Sequence, residues 1–303
     1  MPTTILSAKM NTYNYCVLDV FTNERFKGNP LAVVFADSEL QLTTYENISR
    51  EFGYSETSFI YYSTQEKALK VRSFTPTGFE VNGAGHNLLG AACAAILRGI
   101  KIFHEQDGRP FVIMKDEVIR LSVEDTSDGL LIGMQQRHAV IVTAADSKII
   151  AEALSLDPDE ILDDNLVPAV VKTEVAHLMV PVKSPEVLNK TISNKSMLIK
   201  IADKYNFEGV YCFAFSSNER KYFAQTRFFN PGIGIDEDPA TGSAAGPLAG
   251  YLFQKGYIQR DTIYQLLQGV KVNHRSVIRF EVTNEGIWIS GYSVIVMEGT
   301  IYE

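Results

Sequence analysis

The sequence predicts an α+β protein of two pseudo-symmetric halves, each a bent mixed sheet or barrel closed around a central apolar helix. The first observation behind this is an internal repeat. Residues 72–99 read RSFTPTGFEVNGAGHNLLGAACAAILRG, and residues 227–256 read RFFNPGIGIDEDPATGSAAGPLAGYLFQKG. Arg72, Phe74 and Pro76 match Arg227, Phe229 and Pro231 at an offset of 155. Glu80, Gly85 and Gly99 match Glu237, Gly242 and Gly256 at an offset of 157, so two residues are inserted near Ile233–Gly234. Two copies half a chain apart do not make a solenoid, which needs about three short repeats. The second observation is that both copies end in a helix apolar almost all round, Asn87–Leu97 and Ala244–Leu252. Such a helix must be buried on every side, and a curved sheet is its natural container.

The elements follow in order. Tyr15–Phe21 and Leu31–Phe35 are β-branched and aromatic runs joined by NERFKGNP, a hairpin pattern. Thr43–Phe52 has helical apolar spacing and ends at Gly53, a C-cap residue. Ser58–Tyr62 and Ala68–Phe74 read as strands before the first central helix. DTSDG, around Ser127–Leu130, is a turn cluster and the expected boundary. The halves are then 1–127, with a last strand 290–303 crossing back, and 128–289. In the second half Ile149–Leu154 and Leu198–Tyr205 are expected helices. Ala169–Val171, His177–Val182, Val210–Phe215 and Tyr222–Phe228 are expected strands, and strands continue from Gln265. Pro247 falls in the early turns of the second central helix, where a missing donor costs least.

Composition sets limits. At 303 residues, 46% hydrophobic and 21% charged, the chain is an ordinary globular sequence long enough for two domains. No apolar run approaches the ~18 residues of a membrane span, and MPTTILSAKMNTYNY lacks the pattern of a signal peptide. Net charge is −8 with Lys and Arg scattered, which argues against nucleic acid and against anionic membranes. Cys16, Cys93 and Cys212 have no metal-like or CxxC spacing and read as reduced, buried thiols of a cytoplasmic protein. His104, His138, His177 and His274 share no spacing that suggests a metal, and none is expected.

Four groups could carry chemistry. Gly85 and Gly242 open the two central helices, and helix N-termini favour an anion such as a carboxylate. Two of them facing one cleft would hold a carboxylated small molecule; the plainer reading is that the glycines cap helices or relieve crowding. His86 follows Gly85 and corresponds to Ser243 in the other copy. An imidazole or hydroxyl there can exchange a proton with a bound acid, although a lone His is more often a satisfied structural residue. Glu56, in GYSETSF, lies at a helix end before an apolar strand. It is either a solvated turn acid or a carboxylate whose pKa is raised so that it can accept and return a proton. Asp238, in the run Asp236-Glu237-Asp238, precedes a helix N-terminus and could orient His86 across the cleft. GAGHNLLG is a weak dinucleotide signal, because Leu88 stands where the fingerprint needs Gly or Ala and no strand runs straight into the loop.

These segments resemble the PhzF-like phenazine-biosynthesis family of the diaminopimelate-epimerase-like superfamily. The matching stretches are DVFTNERFKGNPLAVV (Asp19–Val34), YSETSF (Tyr54–Phe59), FTPTGFEVNGAGHNLLGAA (Phe74–Ala92), FFNPGIGIDEDPATGSAAGPLA (Phe229–Ala249) and LQGV (Leu267–Val270). The resemblance implies that Glu56 is the catalytic glutamate, with Ser55 beside it. His86 and Asp238 would be catalytic partners, and Gly85, Gly242 and Ser243 would hold the substrate together with Asn29 of the Gly-Asn-Pro loop. It implies a homodimer that isomerises a dihydro-hydroxyanthranilate by proton transfer, with no cofactor. Two-cysteine racemases of the superfamily would have their thiols at Ala84 and Thr241, and neither residue can form a thiolate. Two departures stand out. Asn87 replaces the proline that follows Gly-His in close relatives, and His274-Arg275-Ser276 replaces Arg-Pro-Ser. The remaining readings are a one-base epimerase of a small carboxylic acid, a nicotinamide-dependent oxidoreductase and a non-catalytic small-molecule binding or interaction protein.

Overall fold

The computed structural model describes residues 11–81, 83–100, 102–104, 108–162, 165–216 and 221–303. Residues 1–10, the start of the stretch read for a signal peptide, lie outside it. So does the side chain of His104.

Each central helix is wrapped by strands. The first, His86–Leu97, buries every residue from His86 to Ala95. Around it the hairpin Thr12–Val20 and Asn29–Phe35 is antiparallel, with Val20 opposite Asn29. Asn29–Phe35 runs parallel to Thr57–Ser63, which pairs with Ala68–Phe74. The ladder continues through Pro110–Met114, Glu117–Thr126 and Gly129–Gln136. The long final strand Ile287–Tyr302 closes it, pairing with Gly129–Gln136 at one end and Thr12–Val20 at the other. The result is the expected α+β architecture, an eight-strand closed barrel with further strands built onto it.

The second central helix, Gly242–Gln254, is wrapped by a continuous ladder of strands from Val140 to Ile289. Its Pro247 is tolerated inside the helix. The DTSDG turn joins two antiparallel strands of the first ring, Thr126 opposite Gly129. The chain passes to the second ladder between Gln136 and Val140. Gly129–Gln136 and Ile287–Tyr302 thus sit where the halves proposed from the repeat, 1–127 with 290–303 and 128–289, join.

Both faces of these strands are covered, which is why runs such as LAVV and CFAF are continuous rather than alternating. Leu31 and Val33 face the first central helix, while Val34 packs outward with Tyr45 and Ile48 of the helix Leu42–Phe52. Gly53 ends that helix in the left-handed conformation, as its position predicts. In the second half Val170, Leu178 and Val210 pack outward against the helices Ser147–Ala153, Pro185–Lys190 and Lys195–Tyr205. The six-residue helix Pro185–Lys190 has too few turns to show a helical period in the sequence. Cys16, Cys93 and Cys212 are free and buried.

Small residues let the central helices approach what surrounds them. A Cβ on Gly250 would stand 2.2 Å from Ala139 Cβ and 3.3 Å from Ala139 Cα, atoms that cannot swing away. Gly250→Ala is therefore expected to destabilise the fold by about 1–3 kcal/mol through overpacking. This outweighs the ~1 kcal/mol that alanine gains in helix propensity. The check is the urea midpoint at unchanged slope; a midpoint equal to or above wild type would show that the packing yields there.

The repeat itself is an ion-pair clamp. Arg72 Nε and Nη2 each donate to Glu80 at 2.8 Å. Arg227 Nε and Nη2 donate to Glu237 at 2.9 and 2.6 Å. The guanidinium carbon lies 5.2 Å from the Phe74 ring centre in one copy and 4.9 Å from that of Phe229 in the other. The matched Arg, Phe and Glu thus pin the loop that delivers each helix start.

Candidate active site

The two helix starts meet. A Cβ on Gly85 would lie 3.4 Å from Ser243 N and 3.8 Å from Gly242 N, and a Cβ on Gly242 would lie 3.2 Å from Gly85 Cα. Helix geometry leaves the amides of His86, Asn87, Gly242 and Ser243 without intrahelical partners. Beside them opens a cavity of about 160 Å³. That is well below the ~300–1,000 Å³ of pockets that enclose drug-sized ligands. It has room for a single-ring compound.

Glu56, Gly85, His86, Asp238, Gly242 and Ser243 all line this cavity. Asn29 and Ser55 do not. Asn29 stands behind Asp238, donating from Nδ2 to Asp238 Oδ1 at 2.8 Å and to Ala240 O at 2.9 Å. The Ser55 hydroxyl is buried with no hydrogen-bond partner. Glu56 sits just before the strand Thr57–Ser63, and Asp238 ends the short strand Ile235–Asp238.

The carboxyls differ in their surroundings. Glu56 Oε2 is buried without a partner. Burial, and then the Asp238 and Glu208 charges, push the Glu56 pKa up to about 8, while the Asn87 side chain pulls the other way. Asp238 is 5% exposed. Burial raises it to about 7, opposed by hydrogen bonds from Thr241 and Asn29. Thr241 Oγ1 donates to Asp238 Oδ2 at 2.5 Å. Gln268 completes the support, donating from Nε2 to Asp238 O at 2.8 Å and to Thr241 Oγ1 at 3.0 Å. The two carboxyls interact and titrate as a pair. Asp238, the better solvated by hydrogen bonds, ionises first.

His86 is 5% exposed, burial holds its pKa down at about 3, and its Nε2 has no hydrogen-bond partner. It is a neutral imidazole. The Asp238 carboxylate accepts from Asn29 and Thr241, and no hydrogen bond joins it to His86 Nε2. Asn87 serves the helix start instead. Its Oδ1 accepts from Gly85 N at 2.7 Å and Leu88 N at 2.8 Å, and its Nδ2 donates to Gly83 O at 3.0 Å. It caps its own helix from within, a role no proline could fill.

The cleft also holds residues that sequence reasoning missed. His177 is 2% exposed, and burial lowers its pKa to about 4 against an opposing pull from the Gly209 backbone. Phe79, Val175, Phe228 and Ile235 supply apolar walls, and Glu208 lies at the rim. In the sequence His177 is only one more histidine lacking metal spacing; its adjacency comes from the parallel ladder that sets it opposite Gly209.

A closed barrel around one apolar helix, with a second apolar helix starting against the first, is the architecture of the diaminopimelate-epimerase-like class. Comparison narrows the class. The profile of the PhzC-PhzF family, described as phenazine biosynthesis-like protein, matches residues 18–299. An uncharacterised isomerase of Clostridium acetobutylicum is 30% identical over 95% of this chain and 98% of its own. The trans-2,3-dihydro-3-hydroxyanthranilate isomerase of Pseudomonas fluorescens is 28% identical over 95% of this chain and 99% of its own. A PhzF-family protein of Bacillus anthracis has a fold superposing with a TM-score of 0.84 at 23% identity, over 96% of this chain and 99% of that one. The chain belongs to the PhzC-PhzF family and is an isomerase. Among the described residues, no helix is long and apolar enough to cross a membrane.

Proposed function

We propose that this enzyme isomerises a small carboxylated ring, dihydro-hydroxyanthranilate-like, by moving a proton between ring carbons without a cofactor. The observation that carries this is the buried, unpartnered Oε2 of Glu56, facing a second carboxyl beside two helix N-termini. The substrate carboxylate sits between the helix starts at Gly85 and Gly242, where four free amides and two dipoles favour it. Glu56 as carboxylate takes the proton from one carbon and, now protonated, returns it to another. His86, Asp238 and Ser243 fix the ring and stabilise the charge that develops as the C–H bond breaks.

The test is turnover of trans-2,3-dihydro-3-hydroxyanthranilate in D2O. Isomer carrying solvent deuterium is the expected result. Binding without exchange or isomerisation would overturn the reading, and so would a requirement for nicotinamide. The Gly85→Ala variant probes the anion site. Its Cβ would make ordinary contacts with Gly242 and Ser243, so the fold survives. It would also fill the space the carboxylate needs. KM should rise at least about tenfold, the loss of ~1.4 kcal/mol of binding; an unchanged KM would move the carboxylate elsewhere.

The homodimer implied by the family resemblance is a further proposal, tested by sedimentation velocity. A cytoplasmic location is proposed from the buried free thiols.

A further inference from the structure

We infer that a second cleft between the halves, walled off from the candidate active site by Phe21, binds a small hydroxy-dicarboxylate. This cleft has a volume of about 250 Å³ and shares no lining residue with the first. Phe21 is fully buried. Its ring lines the second cleft and reaches the start of the second central helix, its Cζ 3.1 Å from where a Cβ on Gly242 would stand. Val277 N donates to Phe21 O at 2.8 Å and Thr22 N to Tyr292 O at 3.1 Å, which fixes the wall.

Charge argues for an anion. Among the described residues, the cationic side chains Lys27, Lys221, Arg275 and Arg279 line this cleft together with the carboxylates Glu24 and Asp128. That lining favours an anionic ligand. Arg279 Nε is buried and has no hydrogen-bond partner. A buried guanidinium donor left unpaired carries a desolvation cost that a ligand carboxylate removes.

The neighbouring strand supplies the second half of the recognition. Gln265 lies opposite Arg279 in the antiparallel ladder, and its Oε1 is also buried and unpartnered. A carboxylate cannot donate to it. A hydroxyl next to the carboxylate can, so an unpaired donor and an unpaired acceptor side by side match a hydroxy acid. The departure at His274-Arg275 from the family's stretch falls here and not at the catalytic cavity: Arg275 lines this cleft and its guanidinium lies 5.2 Å from the Tyr222 ring centre.

Calorimetric titration of the full chain with malate, succinate and inorganic phosphate tests the assignment. Malate should bind. Succinate, which lacks the hydroxyl, should bind at least about tenfold more weakly, because Gln265 is left unpaired. Arg279→Gln should weaken malate at least tenfold, whereas Gly85→Ala, which alters only the catalytic cavity, should leave it unchanged. Gln265→Leu should abolish the preference for malate over succinate, a readout that does not depend on the arginine variant folding. No malate binding, binding undiminished in Arg279→Gln, or binding lost in Gly85→Ala would each overturn the proposal. Phosphate binding in place of malate would overturn the dicarboxylate assignment.

Discussion

Glu56→Gln should lower turnover by ~10²–10⁴-fold, the usual contribution of a positioned general acid/base, and leave substrate affinity nearly unchanged. Glutamine keeps the size and reach of the side chain but cannot carry a proton between carbons. The binding groups are elsewhere, at the helix starts, so KM or a measured Kd should hardly move. His86→Ala and Asp238→Ala should instead weaken binding and rate together, since each removes a group that positions the ring. That split separates a proton carrier from a positioning residue. Near-normal turnover by Glu56→Gln would move the carrier role to His86 or Asp238.

The same carboxyl sets a pH dependence. The base form of Glu56 is needed, so kcat/KM of the free enzyme should rise with pH until the carboxyl pair is deprotonated near pH 8. Asp238 raises the Glu56 pKa through its charge. Asp238→Asn should therefore shift the limb to lower pH while reducing its height. Stability moves in the opposite sense. Between 4.5 and about 8 folded Glu56 keeps a proton that the unfolded chain has lost, so its contribution falls as pH rises through that window. His86 and His177, held neutral by burial, act on the acid side, where stability falls below pH 6.5 as the unfolded chain gains protons. Between pH 6.5 and about 8, below the range in which the buried thiols Cys16, Cys93 and Cys212 add their own decline, the slope should be shallower in Glu56→Gln. Equal slopes for the two proteins would show that Glu56 titrates as an ordinary surface acid.

What the sequence discloses follows from which forces are local. The central helices are legible because a helix apolar on every side has one kind of home, and the repeat doubles the signal. The meeting of Gly85 with Gly242 is legible for the same reason. The strand Glu117–Thr126 is not, because most of its residues are exposed on both faces and only its ladder partners make it a strand. DTSDG reads as a boundary by its turn chemistry, yet the same chemistry makes the tight hairpin between Thr126 and Gly129. At the site, Asp238 can be singled out from the sequence but its support cannot: Thr241 is near in sequence, whereas Gln268 arrives from a later strand and Asn29 from the other half. The acidic run also hides a division of labour, in which Glu237 turns to Arg227 and Asp238 to the cleft.

That division predicts the largest loss of stability. Arg227→Ala should destabilise the fold by about 3–5 kcal/mol, the cost of breaking a buried ion pair by removing one partner. Arg227 is 5% exposed. Besides its two bonds to Glu237 it donates from Nη1 to Leu188 O at 2.9 Å and Thr191 O at 2.8 Å. Its loss leaves a nearly buried carboxylate and two carbonyls without their donor. Arg72 makes the equivalent bonds to Glu80, but both side chains are more exposed, at 22% and 24%. Water can replace the missing partner there, so Arg72→Ala should cost less. Arg227→Lys should recover little, because an ammonium cannot reproduce two parallel bonds from a planar fork. The loop from Arg227 to Asp238 leads into the catalytic cavity, so the folded fraction of Arg227→Ala should also bind substrate less well. Urea midpoints at pH 7 rank the variants. If Arg72→Ala proved the more damaging, burial would not be what makes the second clamp the stronger one.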